Sequence, residues 1–355
     1  MTESVLQIQP VKVSPVPNAA AGENVLEVEG LKTYFFVRQG IVKAVDDVSF
    51  SLKPGEKLAI VGESGCGKSM TALSILRLVD PPGRTVAGTV RMRGRNLLEL
   101  SEAEMRKVRG NEISMIFQEP MTSLNPLFTI GRQIAEVFMF HENLPRATAF
   151  DRAVELLKLV RIPEPARRAR EYPHQLSGGM RQRAMTAIAL ACNPQVLLAD
   201  EPTTALDVTI QAQILDLIVE LQERLGTAVV MITHDLGFVA ETAQRVIVMY
   251  GGRKVEEASV EALFETPRHP YTHGLLAAIP RLASLSGAEP ERSRLSEIPG
   301  MVPSLVDLPK GCAFAPRCPF ATDLCRSEFP PYEAKAPGHM AACWHSDKLY
   351  GGAHA

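Results

Sequence analysis

A glycine-rich segment near residue 65 carries residue types that bind phosphate. It has the sequence Gly62-Glu63-Ser64-Gly65-Cys66-Gly67-Lys68-Ser69, a G-x-x-x-x-G-K-S pattern, and is called the phosphate loop below. Its glycines let the backbone turn tightly with its N–H groups pointing inward, and a helix that begins near Lys68 adds the positive end of its dipole. Lys68 can then contact the β- and γ-phosphates of a polyphosphate, and the Ser69 hydroxyl can bind Mg²⁺. The alternative is a glycine-rich turn with an incidental lysine.

Four polar residues lie at the ends of other apolar segments, and these residues could act on the phosphates. They are Gln118, Asp200, Glu201 and His234. Phosphoryl transfer needs charge neutralisation and a positioned water more than covalent help. A carboxylate such as Asp200, at the end of a buried strand, is poorly solvated unless it faces a cation. We therefore interpret it as a residue that binds Mg²⁺ through the water bound to the ion. Each of the four could instead be an ordinary polar strand end.

A second helix start offers another anion site. Ser177-Gly178-Gly179 opens a helix-patterned segment, and backbone N–H groups at a helix N-terminus bind anions. One chain cannot readily bring two such sites to the same γ-phosphate, so a second subunit is implied. The alternative is an ordinary serine N-cap.

The elements that must position these residues are strands and helices in alternation. An apolar strand over residues 57–61 precedes the phosphate loop, and helical spacing follows it over 70–78. Alternating residues from 25 to 52 predict an antiparallel β layer. Between residues 121 and 175, prolines separate helix-patterned segments, which indicates an inserted helical subdomain. The fold class is therefore predicted as α/β.

Composition limits the classes of function. The chain has 355 residues, a formal net charge of −2 and an isoelectric point near 6.5, without a long Lys/Arg block, so we expect no nucleic-acid partner. No apolar run reaches the ~18 residues that a membrane-spanning helix needs, and the N-terminus lacks an apolar signal core. We therefore expect a cytoplasmic protein, with residues 1–24 as a mobile extension.

Four of the six cysteines lie within the last 44 residues, at Cys312, Cys318, Cys325 and Cys343. In a reducing compartment such clustering favours a metal over disulfides. Four thiolates can hold Zn²⁺ or an iron–sulfur cluster, and the spacing alone leaves both open. For Cys66, the neighbouring helix-end amides predict a reactive thiolate.

Taken together, the motifs resemble the ATP-binding subunit of an ABC transporter. They stand in this order along the chain: the phosphate loop, Gln118, Leu176-Ser177-Gly178-Gly179, residues 196–201, Ala205-Leu206-Asp207 and His234. A narrower resemblance, to the oligopeptide, dipeptide and nickel importer branch, rests on residues 119–126, 172–175, 177–183, 199–207 and 270–272 and on the cysteine-containing tail. The resemblance extends from about Val25 to His345.

The resemblance implies an ABC-type P-loop nucleotide-binding domain over residues 25–265. Its expected parts are a RecA-like core sheet, an antiparallel β subdomain and a helical subdomain over about 119–181. A small cysteine-containing C-terminal domain over 266–355 completes the chain. The implied cofactors are ATP and Mg²⁺, and the family favours a [4Fe–4S] cluster over Zn²⁺ at the four cysteines.

Site roles also follow from the resemblance. Glu201 would orient or deprotonate the attacking water, and His234 would contact the γ-phosphate. Gln118 would bind both Mg²⁺ and water, and Ser69 and Asp200 would bind Mg²⁺. Each ATP would lie between the phosphate loop of one subunit and the segment Ser177, Gly178 and Gly179 of the other, and Asp207 would bridge the two subunits. The residues expected to contact the nucleotide within one chain are Phe35, Gly62, Ser64, Gly65, Cys66, Gly67, Lys68, Ser69 and Met70. Phe35 would stack on adenine, with Tyr34 as the near alternative.

The implied function is ATP hydrolysis that powers peptide import. The expected partners are a second, related ATPase in a heterodimer, two membrane permeases that contact residues 119–138, and an extracytoplasmic peptide-binding protein. The expected location is the cytoplasmic face of the inner membrane. A nickel, glutathione or oligosaccharide importer would have the same motifs. A soluble ABC ATPase would be expected to show two cassettes, a coiled coil or basic stretches, and a phosphate-loop kinase or GTP-binding switch does not explain Ser177-Gly178-Gly179.

Overall fold

A computed structural model describes residues 24–203, 207–279 and 297–349. The chain divides into two compact units. The first comprises Met1–Val25, Lys53–Gly55 and Leu100–Val229, and the second comprises Leu26–Leu52, Glu56–Glu99 and Val230–Ala355. The predicted extension over residues 1–24 lies outside the described residues except for Asn24, and Ala205 and Leu206 also lie outside them.

The strands of the described ranges include long ones whose residues alternate in burial and short ones, of which several, such as residues 196–200, are buried on both faces. They are β1 (Leu26–Val37), β2 (Gly40–Leu52), β3 (Lys57–Val61), β4 (Gly83–Met92), β5 (Arg95–Asn96), β6 (Ile113–Ile116), β7 (Val196–Asp200), β8 (Ala228–Ile232), β9 (Arg245–Tyr250), β10 (Arg253–Ser259), β11 (Glu333–Ala336) and β12 (His339–Ala341).

The helices of the described ranges begin in different ways, and those after Ser101, Ser177 and Ser259 begin at a serine that caps the first turn. They are α1 (Lys68–Ile75), α2 (Glu102–Val108), α3 (Pro120–Ser123), α4 (Ile130–His141), α5 (Arg146–Leu159), α6 (Pro165–Arg168), α7 (Gly178–Leu190), α8 (Val208–Leu225), α9 (Leu236–Thr242), α10 (Val260–Glu265), α11 (Pro270–Ala277) and α12 (Asp323–Ser327). Over the described ranges, none of these helices is long and apolar enough to cross a bilayer.

The second unit contains the predicted antiparallel layer, a sheet of order β2-β1-β4-β5. β1 pairs antiparallel with β2 and with β4, so that Leu26 lies between Leu52 and Met92. All three side chains are buried. The alternation of buried and exposed residues along β1 and β2 is what orients this layer.

A second sheet of the same unit carries the phosphate loop. Its strands stand in the order β11-β12-β10-β9-β3, with β3 parallel to β9 and the other pairs antiparallel. Apolar residues of β3 and β9 form a core with Tyr250, Tyr271 and Phe314. Residues of the C-terminal region therefore share one core with the strand that leads into the loop.

The first unit contains β6 and β7, a parallel pair in which Ile113 faces Val196 and Ile116 faces Ala199. Helices α4, α5 and α7 contact one another and bury apolar faces that include Phe138 and Leu157. This helix-rich segment fits the predicted inserted helices. The predicted domain boundaries at residues 119, 181 and 265 stay predictions.

Candidate nucleotide-binding site

The phosphate loop follows β3 and leads into α1, in the order predicted from the sequence. Gly62 has φ 148° and Gly67 has φ 103°, both positive. A Cβ atom on Gly62 would lie 2.3 Å from the Met249 carbonyl oxygen, and one on Gly67 would lie 2.2 Å from that of Ala44. Glycine is therefore required at both positions, because neighbouring backbone occupies the space of a side chain.

Lys68 folds back over the loop, and its side chain is buried. Its Nζ donates hydrogen bonds to the carbonyl oxygens of Gly62 (2.7 Å) and Glu63 (3.1 Å). Ser64 and Gly65 are exposed at the tip, while Ser69 and Met70 are half-buried on the first turn of α1. The structure thus gathers the predicted lysine, hydroxyl and glycines around one turn of backbone.

Cys66 differs from its expected chemistry. Its side chain is buried, and burial raises the pKa of the thiol even though Lys68 lies nearby. The predicted reactive thiolate is therefore wrong, since desolvation disfavours the anion. Cys66 instead fills space within the loop, where its Sγ is 2.8 Å from the position of a Cβ atom on Gly62.

His234 lies near the loop in the same unit. The Thr233 N–H donates to the Ile60 carbonyl oxygen at 3.3 Å, which places the chain before His234 beside the end of β3. His234 is exposed, and the next residue, Asp235, caps α9 by accepting a hydrogen bond from the Phe238 N–H at 3.0 Å. An exposed imidazole at this strand end can reach a bound ligand.

Phe35 and its alternative Tyr34 have different surroundings. The half-buried Phe35 ring lies against the backbone of Gly83, where a Cβ atom would be 2.5 Å from its Cε1. Tyr34 donates from its hydroxyl to Asp46 Oδ1 at 2.5 Å. Burial and this carboxylate raise the pKa of Tyr34 to about 12. Adenine stacking on either ring stays a prediction.

In the first unit, the parallel pair β6 and β7 brings two predicted polar residues together. Their carboxyl ends lie at the same edge, and Gln118 Nε2 donates to Glu201 Oε2 at 3.1 Å. Asp200, the last residue of β7, is buried, with 4% of its surface exposed. A buried carboxylate beside this pair has the donor chemistry of a Mg²⁺ ligand.

Glu201 has a backbone conformation that sequence reasoning missed. Its φ is 41°, in the left-handed region, although it is not glycine and precedes Pro202. Such a residue persists only where its surroundings hold it, and these positions cluster at functional sites. The residue types around Glu201 give no signal for this conformation.

The segment Ser177-Gly178-Gly179 and Asp207 lie together in the first unit. Ser177 caps α7 by accepting a hydrogen bond from the Met180 N–H, and Asp207 caps α8 by accepting one from the Ile210 N–H at 2.9 Å. A Cβ atom on Gly179 would lie 2.8 Å from Ile210 Cγ2. Gly179 is therefore needed for contact between the two helix starts, a reason that the sequence did not reveal.

The four C-terminal cysteines do not form the predicted metal centre. Cys312 and Cys318 pack against the core that includes Phe314, and Cys325 and Cys343 are buried. Burial raises the pKa of the Cys312 thiol to about 11 and also raises those of Cys318 and Cys343. Within residues 24–203, 207–279 and 297–349, no group of three or more His, Cys, Asp or Glu side chains could hold a metal ion. The predicted [4Fe–4S] cluster is therefore wrong, and its Zn²⁺ alternative has no support. The thiols act as small apolar residues.

Comparison with protein families gives two matches. Residues 45–204 match the model described as ABC transporter. Residues 255–325 match the model described as oligopeptide/dipeptide transporter, C-terminal region.

Several relatives and solved structures are similar over most of their length. A protein of Sinorhizobium fredii named probable peptide ABC transporter ATP-binding protein is 58% identical over 91% of this chain and 96% of its own. The dipeptide transport ATP-binding protein of Escherichia coli is 50% identical over 90% and 95%. The oligopeptide transport ATP-binding protein of Bacillus subtilis is 51% identical over 90% and 96%.

A solved ATP-binding cassette, a dimer in a post-hydrolysis state bound to ADP and phosphate, is 31% identical with a TM-score of 0.60. It covers 66% of this chain and 98% of its own. The described strands and helices accordingly form an ABC ATPase cassette with mixed α/β sheets. On its motifs, its fold and these relatives, the chain belongs to the ATP-binding proteins of the ABC transporter family.

Proposed function

We propose that this chain is the ATP-hydrolysing subunit of a peptide importer. The observation that carries the proposal is the phosphate loop, where backbone held by Gly62 and Gly67 surrounds the buried Lys68. The relatives named for peptide, dipeptide and oligopeptide transport support peptide as the cargo over nickel, glutathione or oligosaccharide.

Each site residue has a proposed role. Lys68 neutralises the β- and γ-phosphates of ATP, and Glu201 orients and deprotonates the attacking water. Gln118 holds the Glu201 carboxylate in place through its hydrogen bond. His234 contacts the γ-phosphate. Mg²⁺, when bound through Ser69, Gln118 and Asp200, would supply charge neutralisation for the phosphates.

We also propose that two ATPase chains close on ATP. The exposure of Ser177, Gly178 and Asp207 supports this arrangement, because exposed helix N-termini are available to a partner's phosphates. The dimeric cassette bound to ADP and phosphate is a similar protein. The partner is proposed to be a second, related ATPase. An active purified complex with two copies of this chain and no other ATPase would contradict the heterodimer.

The permeases are proposed to bind the helix-rich part of the first unit, at residues 119–138. A cavity of about 430 Å³ opens beside α4, lined by side chains that include Leu127, Phe128, Met139 and Tyr172. Leu127 is 77% exposed. An apolar groove with a charged rim suits an amphipathic helix of a membrane partner.

The proposal places the chain on the cytoplasmic face of the inner membrane, bound to two permeases that meet an extracytoplasmic peptide-binding protein. Affinity purification of the tagged chain from detergent-solubilised membranes tests this assembly. Two permeases and a second ATPase should co-purify with ATPase activity. Recovery of the chain alone from intact membranes, active and without permeases, would contradict the importer assignment.

A further inference from the structure

We propose that Arg317, in the C-terminal segment, is a positioning residue that sets the nucleotide affinity of the phosphate loop by holding Glu63. Glu63 occupies one of the variable positions of the loop, 254 residues from Arg317. The proposal rests on the proposed ATP site, and it assigns a role in nucleotide binding to the C-terminal segment that contains Arg317.

Arg317 uses all of its nitrogen atoms in hydrogen bonds. Its Nη1 donates to Glu63 Oε2 at 2.7 Å and to the Tyr250 hydroxyl at 3.3 Å, and its Nη2 donates to Glu63 Oε1 at 3.0 Å. Nη2 also donates to the Ile298 carbonyl at 3.0 Å, and Nε donates to the Pro299 carbonyl at 3.1 Å. Five contacts match the five N–H donors of a guanidinium, so the group is fixed in one orientation.

The contact between Arg317 and Glu63 is a bidentate ion pair, in which two guanidinium nitrogens bond to the two carboxylate oxygens. The arginine side chain is only 3% exposed, whereas the glutamate side chain is 27% exposed. Two parallel charge-assisted bonds fix both distance and orientation, which a single point charge does not. The hydrogen bond to Glu63 also raises the pKa of Arg317, so the guanidinium stays charged.

Glu63 is held at its other polar groups as well. Its N–H donates to the Tyr271 hydroxyl at 2.7 Å, and its carbonyl accepts from Lys68 Nζ at 3.1 Å and from the Cys66 N–H at 3.3 Å. The same residue therefore joins the C-terminal contacts to the lysine that neutralises phosphate. A change at Arg317 alters the loop through Glu63.

Loss of the arginine has a defined electrostatic consequence. Arg317→Gln leaves the Glu63 carboxylate without its cation, within the loop that binds an anionic nucleotide, and like charges repel. We expect the Kd for MgATP to rise about tenfold, the change that corresponds to about 1.4 kcal/mol. Arg317→Lys keeps the charge but not the two-point geometry, so an intermediate rise is expected.

The pair is tested by a double-variant cycle on the purified full-length chain, with MgATP binding measured by calorimetry. Glu63→Gln removes the other charge of the same ion pair, on the side chain that is partly exposed. The double variant Glu63→Gln with Arg317→Gln should bind no more weakly than Arg317→Gln alone, because the contact is already lost. Losses that add, or an unchanged Kd in Arg317→Gln, would overturn the proposal.

A merely structural role for Arg317 predicts a different pattern. His339→Gln is the matched control, since it breaks the buried pair between His339 Nε2 and Glu256 Oε1 (2.6 Å) that joins β12 to β10 without contacting the loop. His339→Gln should lower the melting temperature but leave the Kd for MgATP unchanged. If it weakens MgATP as much as Arg317→Gln does, general loosening of the C-terminal segment explains both, and positioning is wrong.

Steady-state kinetics in the assembled transporter provides a second readout. Arg317→Gln should raise the KM for ATP about tenfold with kcat within about twofold, because the contact acts on binding rather than on the reacting atoms. A loss confined to kcat would contradict the inference. If the parent chain itself fails to bind MgATP, the proposed function fails. If the parent binds and the variant binds equally well, only this inference fails.

Discussion

A hydrogen bond of 3.1 Å joins Nε2 of Gln118 to Oε2 of Glu201. The two residues follow neighbouring parallel strands, and Glu201 has a positive φ that its surroundings must maintain. The carboxylate proposed to activate water is therefore fixed both by its backbone and by an amide from the next strand. This arrangement is the basis for the first prediction.

Glu201→Gln should reduce ATP hydrolysis by about 10²- to 10⁴-fold, the usual contribution of a general base. ATP binding should change little, because the substitution removes a charge at the water rather than at the phosphates. The measurement is steady-state ATPase activity alongside nucleotide binding. Glu220→Gln, an exposed glutamate on α8, is the matched control and should retain activity. Hydrolysis at the parental rate in Glu201→Gln would show that the base lies elsewhere.

Gly179→Ala should destabilise the protein by about 1 to 3 kcal/mol, the usual cost of overpacking. The new methyl group would lie 2.8 Å from Ile210 Cγ2, and this β-branched side chain has little freedom to move. Chemical denaturation measures the loss. Adding Ile210→Ala removes the opposing methyl and should restore part of the stability relative to Ile210→Ala alone. An additive pair of losses would exclude the steric explanation.

Stability should fall as the pH falls through the range in which His269 titrates. Burial lowers the pKa of His269 to about 4 from an ordinary value of 6.5, and its Nδ1 accepts the Tyr271 N–H at 3.1 Å. Between pH 6.5 and 4 the unfolded chain binds a proton that the folded chain does not. The stability that the neutral ring contributes is therefore fully present above pH 6.5 and is lost as the pH falls toward 4. The free energy of unfolding should fall by about 3 kcal/mol over this range, at about 1.4 kcal/mol per pH unit.

Urea unfolding at several pH values checks this slope. His269→Gln, which does not titrate, should be less stable than the parent at pH 7.5 but should lose less stability between pH 6.5 and 4. The neighbouring Glu256 and His339 are present in both proteins, so the difference between the two curves isolates His269. Identical slopes would contradict the assignment.

Leu127→Glu should prevent co-purification of the permeases while leaving ATP binding intact. Leu127 is 77% exposed beside the groove at α4, and a carboxylate there would be buried without a partner in an apolar interface. Met301→Glu is the control, because Met301 is 90% exposed and lies outside the groove. Recovery of permeases with the Leu127→Glu chain would place the docking surface elsewhere.

Local motifs made much of the fold and site predictable. The phosphate-binding motif lies on consecutive residues, so it could be read directly from the sequence. The strand before it formed as predicted, and the helix after it lies at Lys68–Ile75, where the spacing predicts residues 70–78. Gln118 and Glu201 could be expected to meet because parallel strands align their carboxyl ends. The left-handed backbone of Glu201 could not be predicted, since it depends on tertiary surroundings.

Contacts between distant residues were beyond sequence reasoning. Arg317 and Glu63 are 254 positions apart, and the type of neither residue indicates that the other is its partner. The cysteine prediction was wrong for a related reason. The clustering of four cysteines predicted a metal, but Cys312 and Cys318 pack against the core that includes Phe314, and Cys325 and Cys343 are buried.

ATP-driven peptide uptake by the purified complex in proteoliposomes tests the central claim most directly. The parental complex should transport a labelled dipeptide or oligopeptide only when two conditions are met. ATP and Mg²⁺ must be on the side of the membrane that carries this chain, and the peptide-binding protein must be on the opposite side. Complexes with Lys68→Ala should lose nucleotide affinity and uptake together, whereas Glu201→Gln should lose uptake while retaining ATP binding. Undiminished, ATP-dependent uptake with Lys68→Ala in this chain would contradict the account.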